Sequence, residues 1–204
     1  MKAPQIRSFL LAAALTATFS SSARAVDYLL TMDDLPAQPV HGLAHATGVE
    51  FGFTVGGVAS LDATYALGGP GSIAFIQDPS IEGTSAGILY VGLPEPAYTV
   101  QFGVARSLLT PSNATVELFN VSNELIATRN VELTPMPMFA EGLFVYRGPS
   151  VSRFTVSFPS PATRFAFDNL LIRIIPEPAS LVLACGGLGL MLCGGRLHRV
   201  RRTE

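Results

Sequence analysis

From residue 26 to residue 175 the chain reads as short runs in which apolar and polar side chains alternate, with almost no helical periodicity. In residues 99–104 the apolar positions Val100, Phe102 and Val104 share one parity, and in residues 152–158 Phe154, Val156 and Phe158 do. A period of two sends successive side chains to opposite faces of a pleated strand, so each run predicts a strand with one face in a core. Further runs span 49–55, 72–77, 87–93, 114–120, 124–133, 141–147 and 163–174. Turn chemistry separates them at Gly68-Gly69-Pro70-Gly71, Pro94-Glu95-Pro96, Pro111-Ser112-Asn113, Ser122-Asn123 and Pro135-Met136-Pro137. About nine or ten short strands divided in this way predict an all-β fold, an antiparallel sandwich of jelly-roll type. In the last run Phe165 and Phe167 take one parity and Leu170, Ile172 and Ile174 the other. The inward face therefore changes register around Asp168-Asn169, which predicts a β-bulge.

The two ends follow another pattern. Residues 179–195 form a run of 17 without a charge, followed by Arg196, His198, Arg199, Arg201 and Arg202. As a helix this run covers roughly 25 Å of a hydrocarbon core about 30 Å thick, and the arginine stems extend it by snorkelling. A helix apolar on all sides has no amphipathic face with which to dock on a globule, so one membrane span is expected over 179–195 within the C-terminal segment 176–204, the arginines staying cytoplasmic. At the other end Lys2 and Arg7 precede the apolar residues 9–19, and Ala23-Arg24-Ala25 presents small residues for a signal peptidase. Residues 1–25 read as a secretory signal peptide cut after Ala25, leaving 26–175 as one exported domain.

Within that domain thirteen Asp and Glu stand against six Arg and no Lys, a net charge of −7. Acidic charge of this size repels nucleic acid and anionic surfaces, so no nucleic-acid partner is expected. Both cysteines, Cys185 and Cys193, lie in the apolar tail. The domain therefore depends on a hydrophobic core and not on cross-links, and about 150 residues suffice for one.

Pro176-Glu177-Pro178, then an apolar run, then the basic cluster with Arg196, Arg199, Arg201 and Arg202, in a chain that opens with a signal peptide, resembles the PEP-CTERM sorting signal of Gram-negative bacteria. That resemblance implies recognition by an exosortase, transient residence in the inner membrane, removal of the tail, and release to the cell surface or extracellular matrix beside exopolysaccharide. Met32-Asp33-Asp34-Leu35-Pro36 near the start and Phe165-Ala166-Phe167-Asp168-Asn169-Leu170 at the end further resemble the jelly-roll domains of PEP-CTERM proteins and, more distantly, carbohydrate-binding modules. In such folds the first and last strands lie together, which implies a structural calcium at Asp34, Asp168 and Asn169, with Asp33 capping a turn.

Other motifs carry less chemistry. Gly83-Thr84-Ser85-Ala86-Gly87 matches a nucleophile elbow, but a strand follows it and the only later histidine is His198 in the basic tail, so a Gly-Ser turn is expected. His41 and His45, four apart in a loop, are metal or pH-sensing candidates set against plain loop histidines. Two functional classes remain. One is a non-catalytic surface or matrix protein with exopolysaccharide as its candidate ligand; the domain has no Trp, leaving Tyr65, Tyr90, Tyr98 and Tyr146 as aromatic platforms. The other is a polysaccharide hydrolase with an acid and a base drawn from Asp78, Glu82, Glu95 and Glu141. The scattered carboxylates and sparse histidines favour the first, an exported protein that is not an enzyme.

Overall fold

The computed structural model describes residues 26–174 apart from 70, 108–110 and 160–162. The expected signal peptide with Ala23 and Ala25, and the expected sorting tail with Pro176, Glu177, Pro178, both cysteines, Arg196, Arg199, Arg201 and Arg202, lie outside the described residues. Among the described residues no helix is long and apolar enough to cross a membrane.

The described residues form twelve strands: β1 (Val26–Leu30), β2 (Gln38–Pro39), β3 (Leu43–Ala44), β4 (Glu50–Val55), β5 (Val58–Ala59), β6 (Thr64–Leu67), β7 (Ser80–Thr84), β8 (Gly87–Arg106), β9 (Ser112–Phe119), β10 (Leu125–Pro135), β11 (Ala140–Ser157) and β12 (Arg164–Ile174). Every pairing is antiparallel, and the ladder runs β10-β9-β11-β8-β12-β7-β6-β2. Two long strands fold this ladder into two layers. The first half of β8 pairs β4, from Val55↔Gly87 to Glu50↔Gly92, and its second half pairs β12, from Arg173↔Thr99 to Phe165↔Arg106. The matching halves of β11 accompany it through both layers.

The sequence predicts four strands here, over 87–93, 99–104, 141–147 and 152–158; the structure has two, of 20 and 18 residues. A proline ends pairing only where its missing N–H is needed. At this corner the β8–β11 register shifts between Arg147 and Val151 and again between Val151 and Arg153, so the prolines fall where the ladder is already interrupted and the chain bends there.

Inward-facing rings from the two layers meet. Phe102 stacks on Phe144 and Phe154 at 4.7 and 5.1 Å and touches Phe167 at 4.8 Å, while Phe53 of β4 meets Phe165 of β12 at 5.7 Å. The expected bulge is present. Asp168 pairs Gly103 but Leu171 pairs Gln101, and Asn169 takes a left-handed φ of 54° to absorb the extra residue. The first and last strands also meet as expected, with Val26 opposite Ile174.

Residues 72–77 are not the strand that their alternation predicts. They form a strap over the outer face of β8, β11 and β12, where Ile76 packs with Ala105 and Ala166 in a small second cluster. The strap's N–H groups find side-chain acceptors instead of a neighbouring strand: Ala74 and Phe75 donate to Glu141, and Gln77 donates to Asp168. Gly103 makes room beneath it, since an added Cβ would lie 2.2 Å from the Phe75 carbonyl oxygen. We expect Gly103→Val to lose about 1–3 kcal/mol by overpacking and to speed amide exchange in the strap first. Gly92→Ala, whose Cβ would meet only Glu50 at 3.6 Å, serves as the tolerated control in exchange mass spectrometry.

Candidate functional site

The carboxylates expected to bind calcium or perform hydrolysis are engaged in separate tasks. Asp168 is fully buried; its oxygens accept N–H groups from Gln77 at 2.9 Å and Asn169 at 2.6 Å, and the Asn169 side-chain amide at 3.0 Å. Burial raises its pKa to about 6, aided by the charges of Asp33 and Asp78 and opposed by the two backbone donors. Asn169 acts as a donor, giving its amide also to the Phe75 carbonyl at 3.1 Å. Asp34 accepts the Tyr65 hydroxyl at 2.7 Å and faces His45 Nε2 at 2.5 Å. Burial opposes ionisation of Asp34, but the bonds from Tyr65 and His45 prevail and hold its carboxyl below the ordinary value. Asp33 takes the Thr31 hydroxyl, a local turn contact. Among the described residues no three His, Cys, Asp or Glu side chains are grouped so as to hold a metal ion.

The two histidines part ways. His45 is buried, and its Nδ1 accepts the Thr47 N–H at 3.1 Å, which leaves Nε2 as the nitrogen that carries the proton toward Asp34. With Tyr65 stacked 6.5 Å away, the ring ties the loops after β1 and β3 to β6. His41 accepts the N–H of Phe53 from a neighbouring strand.

The hydrolase candidates are likewise dispersed. Asp78 caps the Gly69 and Gly71 N–H groups, Glu141 holds the strap, and Glu95 is exposed at the corner of β8. Glu82 is buried beneath Gly69, with Oε1 lacking a hydrogen-bond partner, and burial raises its pKa. Ser85 occupies a two-residue turn between β7 and β8, is 1% exposed, and donates to the Thr163 carbonyl at 2.7 Å. Two strands and no helix flank it, so the expected Gly-Ser turn is found.

Only part of the aromatic set remains accessible. Tyr65 and Tyr146 are buried, Tyr146 donating to the Pro149 carbonyl, whereas Tyr90 is half-buried and Tyr98 is 38% exposed. Tyr90 lies on the outer face of the layer formed by β4, β8, β11, β9 and β10, because its neighbours Leu89 and Val91 point into the core. Register builds one row across this face: Gly52, Tyr90, Thr155, Glu117 and Thr128. The next row carries Glu50, Gly92, Arg153 and Phe119. The Arg153 guanidinium lies 3.9 Å above the Phe119 ring and reaches Asn123 in the β9–β10 turn. Gly52 and Gly92 leave the ground beside Tyr90 free of side chains, giving an aromatic ring with hydroxyl, carboxylate and guanidinium groups around it. Phe119 and Arg153 were not singled out from the sequence, since only strand register brings positions 34 apart together.

No protein-family model matches the chain, and no curated protein does. Among solved structures the chain is similar to a CBM29-2 mutant made to probe ligand recognition by family 29 carbohydrate-binding modules, with 12% identity and a TM-score of 0.42, covering 74% of this chain and 92% of that one. A family 29 carbohydrate-binding module gives 8% identity and a TM-score of 0.41, covering 75% and 96%. A further mutant of that family gives 11% and 0.41, covering 76% and 100%. These likenesses are distant, and the functional reading of this chain rests on its own residues.

Proposed function

We propose that this chain is an exported, exosortase-processed protein of the cell surface or extracellular matrix, whose domain binds exopolysaccharide without catalysing a reaction. The observation that carries the binding half is the Tyr90 face. A sugar ring offers an apolar C–H face to stack on an aromatic ring and hydroxyls that exchange hydrogen bonds with Glu117, Glu50 and Arg153. The acids, by contrast, serve the fold: Asp168 and Glu141 hold the strap, and Asp34 joins His45 to Tyr65. The sorting half rests on the order of signal peptide, Pro176-Glu177-Pro178, apolar run and arginines, with signal peptidase and exosortase as processing partners.

Affinity electrophoresis through polysaccharide gels tests the binding. Tyr90→Ala should weaken retention about tenfold, equivalent to about 1.4 kcal/mol, while Tyr98→Ala leaves it unchanged. Equal retention of the wild type and Tyr90→Ala would remove this face from the account. Release of reducing ends that disappears in Glu82→Gln or Glu141→Gln would replace the binding reading with the hydrolase one. Intact mass of surface-released protein tests the sorting half, which requires loss of both residues 1–25 and the basic tail.

A further inference from the structure

The outer face of the other layer carries a largely apolar row, broken by Gln101, that no other described strand covers. Leu29 of β1 pairs Leu171 of β12, Leu171 pairs Gln101 of β8, and Gln101 pairs Val145 of β11, so the four side chains cross four strands on one face. Leu29 is 62% and Val145 47% exposed, and Leu143, one step further along β11, is 39% exposed. Phe75 of the strap adds another partly exposed ring above Gly103, which pairs Leu143. Isolated surface leucines need no explanation, but Leu29, Leu171, Val145, Leu143 and Phe75 gather around Gln101 on one face, and apolar groups gathered in one patch mark an interaction surface. The adjoining row toward the chain ends is Asp27, Arg173, Thr99 and Arg147; Asp27 pairs Arg173 at 3.3 Å and leaves the Arg147 end positive. On the other side, Leu143 and Val145 border a cleft of about 290 Å³ between β10 and β11 that also contains Arg129 and Glu132.

We infer that this row docks on the lipid surface of the membrane that holds the chain's own tail, a step that rests on reading residues 179–195 as a membrane span. The covalent reach supports lipid over other occupants. Leu171 lies three residues before Ile174, about 10 Å along the strand. Only five peptide steps separate Ile174 from Ala179, at most about 18 Å. A patch tethered so closely meets the bilayer at an effective concentration in the millimolar range, so a few apolar side chains suffice where they would fail from free solution. The domain's acidic charge makes apolar contact, and not attraction to anionic headgroups, the driving force, with Arg147 and Arg129 at the rim suited to phosphate. Docked in this way, the domain lays its β1–β12–β8–β11 face on the membrane surface. The opposite face, with Tyr90, then points away from the lipid.

The chain contains no tryptophan, so a single introduced one reports alone. Full-length chain without its signal peptide, reconstituted in phosphatidylethanolamine–phosphatidylglycerol vesicles, is made as Leu29→Trp, Val145→Trp and, on the other layer, Thr128→Trp. Brominated acyl chains should quench the first two by about half, with a blue shift, and leave the third unchanged. Equal quenching at all three positions, or at none, overturns the docking. A blue shift at Leu29→Trp that grows with protein concentration and ignores brominated lipid assigns the row to a second copy and also overturns it. If the chain fails to float with vesicles at all, the membrane-span reading itself falls, an outcome distinct from flotation without quenching.

Discussion

Phe102→Ala should lower the unfolding free energy by about 3–5 kcal/mol, the largest single loss available to this domain. Phe102 is fully buried and meets Phe144, Phe154 and Phe167 within 4.7–5.1 Å, so its ring is shared by both layers at the centre of the fold. Truncation leaves a cavity that these strands, bonded on both sides, do not collapse to fill. A small domain has about 5–15 kcal/mol in all, so the variant should unfold at markedly lower urea or not accumulate. Phe102→Leu, which keeps most of the volume, should recover more than half of the loss. A midpoint within error of wild type for Phe102→Ala would show that the layers do not pack through this ring.

Asp168 by itself should contribute a fall in stability of about 3 kcal/mol as pH rises from about 3.5 to about 6.5, the reverse of ordinary acid unfolding. The Asp168 carboxyl moves from 3.8 in the unfolded chain to about 6 in the fold, with burial as the main cause. Between those values the folded protein holds a proton that the unfolded chain has released. Its contribution is therefore complete below the unfolded value and lost as pH passes through the folded one. Glu82, also raised by burial, acts in the same direction. Asp34, whose pKa is lowered, acts oppositely and sets the acid limb, its contribution vanishing as pH falls through its folded value. Urea midpoints across this interval should decline in the wild type and less steeply in Asp168→Asn, which also loses an acceptor for the strap. A midpoint that climbs from pH 4 to pH 6.5 would mean that the three N–H donors around Asp168 outweigh its burial.

Alternation of side chains announced the strands because one face of each is buried, and the parity switch at Asp168-Asn169 announced the bulge for the same reason. It misled at residues 72–77, whose alternation serves a strap instead of a ladder: Ile76 packs on Ala105 and Ala166 while Glu141 and Asp168 take the N–H groups. It also missed β1, β6 and β7, since Val26–Leu30 carries exposed Leu29 beside buried Leu30, and Ser80–Thr84 buries a serine and a glutamate. β1 and β7 are specified by their partner β12, and β6 by β7 and β2, and not by their own composition.

What the sequence determined by itself is whatever depends on neighbours along the chain: the all-β class, the turn positions, the Gly-Ser character of Ser85, the acidic stretch between two apolar segments, and the bulge. What only the tertiary structure decided depends on strand register. Register put Tyr65 and Tyr146 in the interior and Tyr90 on an open face beside Gly52, and it joined Phe119 to Arg153. It divided Asp34 and Asp168 between a His–Tyr clamp and a strap, and it brought exposed Leu29 and Val145 and half-buried Leu171 to one face around Gln101. A period of two tells which residues share a face of one strand. Which faces meet, and at what offset, is set by packing between residues tens of positions apart, and it is there that the candidate binding surface arises.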